Sequence, residues 1–522
     1  MKKFVASNIL FLIILGAVVF CLYGKSIKYG LTYIDDDTLT IKNIDYISDY
    51  KNIPDFFVNG CYYLDRVSPY YRPILNLSFS LESILFGYNL KIYHTTNILL
   101  FILSLYLIFL FLRRLNCNST ILKCLIILFS VHPILTSVPT WLPARNDSLL
   151  TVFFISSLIF FIDYINTKKI HYFFLYIFFY ALALFTKETA LPLIIIYFLL
   201  TFYPFTSSPF KIKQKLLNSL CFLAIIAIYF FLRHNDTVGN PDIVFYIKNS
   251  LIFSKNIILG LMIYIKQLIF PNYMPVIMYN ISLDVTTITI NLIVFISLAF
   301  VYYKKLLDRK IILFSLIFFF LSVFPTFLQT EYALLFHRLI IVLPAILLII
   351  VPVIEKILSL FPETKKYFIL IFVLLIPILS YASFNQADKY KNSFIFWSEA
   401  YNDAPNYHLT PDGLSKEYRK IKDYKKALEL EKEAVDLNGL SLYYTNYAII
   451  QYEMGQKEYA KENFLRIIQQ TNKYYLPYKY LSKIYLQENN KEKAIEYAKK
   501  AIESAPDKEK ATLTEYLNII SN

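Results

Sequence analysis

The feature that most narrows what this chain can become is a series of apolar runs, each near twenty residues, separated by short charged connections. A helix of about 20 apolar residues is long enough to cross the hydrocarbon core of a bilayer. Inside that core the backbone has to satisfy its own hydrogen bonds, so helices are the expected element. Runs of this kind lie at about 4–23, 93–112, 119–138, 148–165, 170–186, 188–204, 216–233, 286–303, 311–328, 337–354 and 367–384, which predicts eleven spans. Composition points the same way, with 57% hydrophobic and 18% aromatic residues and a mean hydropathy of +0.48. A soluble domain is nearer half apolar, so the fold class is an all-α polytopic membrane protein.

The formal charge of +14 does not call for nucleic acid, because much of it sits in short clusters between apolar runs. Lys2 and Lys3 precede the first run. Arg113, Arg114 and Lys123, then Lys168 and Lys169, then Lys211, Lys213 and Lys215 follow at alternate connections. Lys304, Lys305, Arg309 and Lys310, and later Lys356, Lys365 and Lys366, continue the series. Basic loops stay on the cytoplasmic side, so the N-terminus is expected inside and the chain in the cytoplasmic membrane. The segment 251–270 is apolar but carries Lys255 and Lys266 and ends at Pro271. Counting it as a span would place the later basic loops outside, so it reads as a re-entrant or interfacial helix within a large outer loop, 234–285. A first outer loop covers 24–92, with an interfacial helix expected around 74–86. Cys21, Cys61, Cys117, Cys124 and Cys221 give no disulfide framework, and only 10 glycines leave no phosphate loop.

The composition changes after residue 384 to Lys, Glu, Ala and Tyr. Ala427, Ala460 and Ala494 recur at spacings of 33 and 34 residues, with turn residues at Asp423-Tyr424, Gln456-Lys457 and Asn489-Asn490. A helical hairpin repeating at 34 residues is the tetratricopeptide period, and stacks of such hairpins offer a concave face to extended peptides. The expected organisation is a membrane domain over 1–384, a linker over 385–407 and an extracytoplasmic α-solenoid over 408–522 whose last helix caps the stack.

Certain polar groups need a reason to be here. Asp35, Asp36 and Asp37 stand consecutively in Tyr33-Ile34-Asp35-Asp36-Asp37-Thr38-Leu39, just past the first span. Crowded carboxylates raise one another's pKa, and a carboxylate so tuned serves as a general base; the plainer reading is a solvated acidic turn or a helix cap. Arg145 with Asp147, Lys187 with Glu188, and His337 with Arg338 head later spans on the same side. Each pair read alone is an ion pair or interfacial anchor; together, cations facing carboxylates suit a reaction whose leaving group is phosphate. The six histidines are scattered and no metal site is expected.

Tyr70-Tyr71-Arg72-Pro73, His132-Pro133-Ile134-Leu135-Thr136, Trp141 with Arg145-Asn146-Asp147, Lys187-Glu188, Tyr264-Ile265-Lys266 and the repeat tail follow the acidic turn in this order. The series resembles the transmembrane and tetratricopeptide-repeat O-mannosyltransferases and their bacterial relatives, membrane glycosyltransferases of the GT-C fold. It departs from them at Ser137, where relatives often carry Glu, and at His337-Arg338-Leu339-Ile340-Ile341-Val342-Leu343-Pro344, where a Glu-Arg-Tyr-Leu-Tyr-Leu-Pro run is usual and this chain has one extra residue. The resemblance implies an inverting transfer of mannose or another hexose from a polyprenyl-phosphate-linked donor to Ser or Thr of extracytoplasmic proteins. It makes Asp35 and Asp36 the catalytic pair, and assigns the donor phosphate to Arg338, Lys187 and Arg145. Asp147, His132, Glu188, His337 and Arg72 support them. No cofactor beyond the lipid-linked donor is implied, and membrane lipids and acceptor peptides are the expected partners. Two alternatives remain: the same fold acting on a surface polysaccharide or lipid, and a non-catalytic scaffold whose repeats recruit envelope proteins.

Overall fold

The computed structural model describes residues 2–58, 70–201, 212–234, 248–279, 283–328, 334–471 and 474–522. Cys61, the end of the 188–204 run, Lys211 and parts of both expected outer loops lie outside the described residues. What is described is helical, and it divides into two compact units, Met1–Met274 with Ile281–Asn392, and Pro275–Asn280 with Ser393–Asn522.

In the first unit, leaving one-turn helices unlabelled, the helices are α1 (Lys2–Tyr23), α2 (Pro73–Phe86), α3 (Leu90–Arg114), α4 (Ser119–Ser130), α5 (Arg145–Thr167), α6 (Ile170–Thr186), α7 (Ile194–Thr201) and α8 (Ile212–His234). They continue with α9 (Ser250–Ile269), α10 (Val285–Tyr303), α11 (Arg309–Val323), α12 (Leu343–Leu360) and α13 (Lys365–Asp388). Their ends carry side-chain caps where the sequence supplies them. Asn89, Asn118, Asp284 and Asp308 each accept a backbone N–H of the following first turn, and Gly87, at φ +64, ends α2. α2 is the helix expected around 74–86.

Nine helices among the described residues are long and apolar enough to cross a membrane, or ten if one bent pair is a single span. The chain is therefore a multi-pass membrane protein. The 119–138 run is not one rod: Ser119–Ser130 and Pro133–Thr140 meet at 63°. His132 sits at that break as an N-cap, its Nδ1 accepting the Ile134 N–H at 3.2 Å, and Pro133 cannot continue the preceding ladder. The segment 251–270, expected as a re-entrant or interfacial helix, is one unbroken helix of 20 residues, long and apolar enough to count among the nine. Its Lys266 is accommodated by the Asn272 side chain, 2.8 Å away, so the charge does not end the helix. α6, with 17 residues, and the 188–204 run, described only as far as Thr201, are not counted among the nine.

The second unit opens with α14 (Ser393–Asp403); of the expected linker 385–407, α13 takes the residues to Asp388 and α14 most of the rest. Three hairpins follow, α15 (Leu409–Lys420) with α16 (Tyr424–Leu437), α17 (Ser441–Glu453) with α18 (Lys457–Gln470), and α19 (Tyr475–Gln487) with α20 (Lys491–Ser504), before α21 (Asp507–Ser521). Each hairpin turns through one residue with positive φ, Lys422 at 65°, Gly455 at 82° and Asn489 at 61°, spaced like the alanines. Ala427, Ala460 and Ala494 are fully buried, where a larger side chain would part the two helices. Ser415 and Ser482 repeat one contact, donating to the carbonyls of Ala427 and Ala494 at 2.8 and 2.6 Å. Gly413 is required by a close approach, since a Cβ there would lie 2.1 Å from the Trp397 ring of α14.

Candidate active site

The acidic turn is built locally. Asp36 is 1% exposed, and its carboxylate accepts the Thr32 N–H at 2.7 Å, the Thr32 hydroxyl at 2.9 Å and the Tyr33 N–H at 2.8 Å. That grip folds residues 32–36 back on themselves and leaves Tyr33 and Asp35 with positive φ, 57° and 69°. Aspartate tolerates this region better than most residues, and such strain gathers at functional sites. The three carboxylates consequently differ. Asp35 is exposed, Asp37 pairs with Lys42 at 2.5 Å, and Asp36 is buried with its pKa pushed up to about 7. Burial is the main cause of that rise and the neighbouring Asp37 charge a lesser one, whereas like-charge crowding was the cause expected from sequence.

From Asp36 a chain of contacts leads across the unit to the basic residues. The Thr32 hydroxyl, which donates to Asp36, also accepts the Trp141 indole N–H at 3.0 Å. The Trp141 ring packs on His337, with centroids 5.2 Å apart, and His337 Nε2 stands 3.4 Å from Asp147 Oδ2. Asp147 takes the Lys187 ammonium on both oxygens at 2.7 Å. The next residue, Glu188, accepts both Nε and Nη2 of Arg72 at 3.2 and 2.7 Å. So Asp35, Asp36, Arg72, Asp147, Lys187, Glu188, His337 and Arg338, drawn from five separate stretches of sequence, belong to one connected region.

Within it one cation stands apart. Arg338 is half-buried, and its Nε is buried with no acceptor among the described residues, although its charge is felt by Asp147, Lys187 and His337. Tyr264 of α9 backs it, donating its hydroxyl to the Leu335 carbonyl at 3.0 Å. A guanidinium held where its neighbours are already paired is a ready partner for an anion.

Two expected site residues are placed elsewhere. Arg145 is 0% exposed and spends its donors internally, on Asn97 Oδ1 at 2.8 Å, Glu82 Oε2 at 2.8 Å and the Tyr93 carbonyl at 2.8 Å, with Phe79 against its face at 3.9 Å. It fastens α2 and α3 to the start of α5, and its complete burial keeps it from a phosphate. His132 shapes the α4 bend and joins none of the contacts above. Sequence reasoning also missed residues. Thr32 carried no motif signal, Trp141 was read only as part of one, and Glu82, the partner that fixes Arg145, looked like any surface glutamate.

Among the described residues no three His, Cys, Asp or Glu side chains converge. What the region offers is a carboxylate pair at one end and, at the other, a cation cluster with one unmatched guanidinium. A scan against protein-family models finds no match, and a search of curated proteins finds none significantly similar.

Proposed function

We propose that the chain is an inverting membrane glycosyltransferase that moves a sugar from a polyprenyl-phosphate donor to a hydroxyl of an extracytoplasmic protein. The reading takes its fold and substrate class from the resemblance to the tetratricopeptide-repeat O-mannosyltransferases. The observation that carries it is Arg338, unmatched beside a cluster whose other cations are paired, and joined through His337, Trp141 and Thr32 to the acidic turn.

In this reaction Asp35, the exposed member of the pair, takes the proton of the acceptor hydroxyl. The acceptor oxygen forms its bond to the anomeric carbon from the face opposite the leaving group. The carbon–oxygen bond to phosphate breaks, and its electron pair stays on the phosphate, whose added charge Arg338 stabilises. A phosphodiester leaves as a stable anion, so no separate general acid is needed. Lys187 and Arg72, bound to Asp147 and Glu188, set the positive field around Arg338 rather than reaching the phosphate themselves. An apolar cavity of about 230 Å³ suits the isoprenoid tail; it is lined by Leu268, Leu298, Phe319, Ala345 and Ile349, among others. Ala345 follows Arg338 by seven residues on the same helical run. The basic loops favour a cytoplasmic N-terminus, and the 33–34-residue hairpins favour tetratricopeptide-type capture of acceptor segments.

The test is donor titration with the purified protein in lipid. Arg338→Lys keeps the charge but loses the two-pronged geometry, so the donor concentration for half-maximal transfer should rise at least about tenfold. Unchanged donor dependence would return Arg338 to an interfacial anchor. Intact-mass analysis of envelope proteins with and without this gene would show whether a sugar increment disappears.

A further inference from the structure

The repeat unit holds a residue that its own periodicity rejects. Glu431 of α16 occupies the place that Phe464 takes in the next hairpin and Ala498 in the third, at spacings of 33 and 34 residues. Phe464 and Ala498 belong to a buried apolar cluster. Glu431 is equally buried, at 0% exposure, and neither of its carboxylate oxygens meets a hydrogen-bond partner among the described residues. Facing it are Asp412, Ser415 and Lys416 of α15 and Asn446 of α17. Asp412 is also buried; it accepts the Lys416 ammonium at 2.7 Å and the Asn446 amide at 2.9 Å. Burial, then the Asp412 charge, pushes the Glu431 pKa up to about 8.

A carboxyl at a core position weakens a fold, and natural chains keep such residues where function asks for them. The geometry here has a second side. The Lys416 side chain is 47% exposed, so it runs from solvent into the acidic cluster and puts an ammonium at its mouth. It serves Asp412 and leaves Glu431 with no cation of its own, only the neutral Ser415 and Asn446 side chains beside it.

We propose that Asp412, Glu431 and Asn446 form a subsite for a cationic side chain, arginine or lysine, of an extended peptide, with the Lys416 ammonium as its internal stand-in. An arriving guanidinium displaces Lys416 outward, the Glu431 proton passes to solvent, and the forked donors then reach both carboxylates where one ammonium reaches one. The inference does not depend on the transfer chemistry, because binding is read without donor.

The experiment is fluorescence polarisation on the purified full chain in detergent. The probes are a labelled ten-residue Ser/Thr-rich peptide carrying one central arginine, and the same peptide with glutamine there. The arginine peptide should bind about tenfold tighter or better, the scale of a charge-assisted buried hydrogen bond. Glu431→Gln should erase that preference. Glu431→Leu should erase it too while raising the unfolding temperature of the repeats, and Lys416→Met should tighten the arginine peptide by removing the competitor. Equal binding of both peptides by the wild type would overturn the proposal. So would a preference that survives in Glu431→Gln or in folded Glu431→Leu.

Discussion

Replacing the two carboxylates of the acidic turn one at a time separates chemistry from architecture. Asp35→Asn is the milder change structurally: the side chain is exposed, and asparagine has nearly the same shape as aspartate. It removes the proposed base, so transfer should fall by about 10²–10⁴-fold with no change in melting temperature. Asp36→Asn acts on the fold. The Asp36 pKa is raised in the folded protein from 3.8 to about 7. Its favourable contribution is therefore complete below the unfolded value and is lost as pH rises through the folded one. At about 1.36 kcal/mol per pH unit, wild type should lose roughly 3 kcal/mol relative to Asp36→Asn between about pH 5 and about pH 8. The assay is thermal unfolding of both proteins in the same lipid or detergent across that range, alongside transfer activity. Identical pH dependence of the two melting curves would refute the burial of Asp36. Full activity in Asp35→Asn would remove Asp35 from the chemistry.

Arg145→Met should lower stability by about 3–5 kcal/mol, because it removes three directed contacts and leaves Glu82 buried without its partner; reduced accumulation and melting temperature, with donor dependence unchanged in what folds, is the signature. Lys187→Met strands Asp147 and should cost a similar amount, about 3–5 kcal/mol, with partial recovery in Lys187→Met/Asp147→Leu, read by thermal unfolding. Gly413→Ala forces a methyl into the Trp397 ring and should weaken the repeat unit by about 1–3 kcal/mol, seen as faster proteolysis after residue 393 while transfer to short peptide acceptors persists.

The sequence by itself determined the elements. Apolar runs with basic connections specify membrane helices because a bilayer leaves the backbone no other partner, and the alanine period specifies hairpins because both depend only on neighbours along the chain. The run at 119–138 shows the limit: His132-Pro133 was visible, but whether a proline break becomes a bend of 63° depends on what packs around it. Site membership divided the same way. Asp36, Lys187, Glu188 and Arg338 stood out because charge beside a bilayer is costly wherever it falls. Charge alone could not separate Arg145, buried and bound to Glu82, Asn97 and the Tyr93 carbonyl, from Arg338, whose Nε meets no acceptor among the described residues. Nor could it rank three adjacent aspartates that differ in burial and backbone angle. Those distinctions rest on partners up to 63 residues away in sequence for Arg145 and 109 for the Thr32–Trp141 contact, so only tertiary packing decides them.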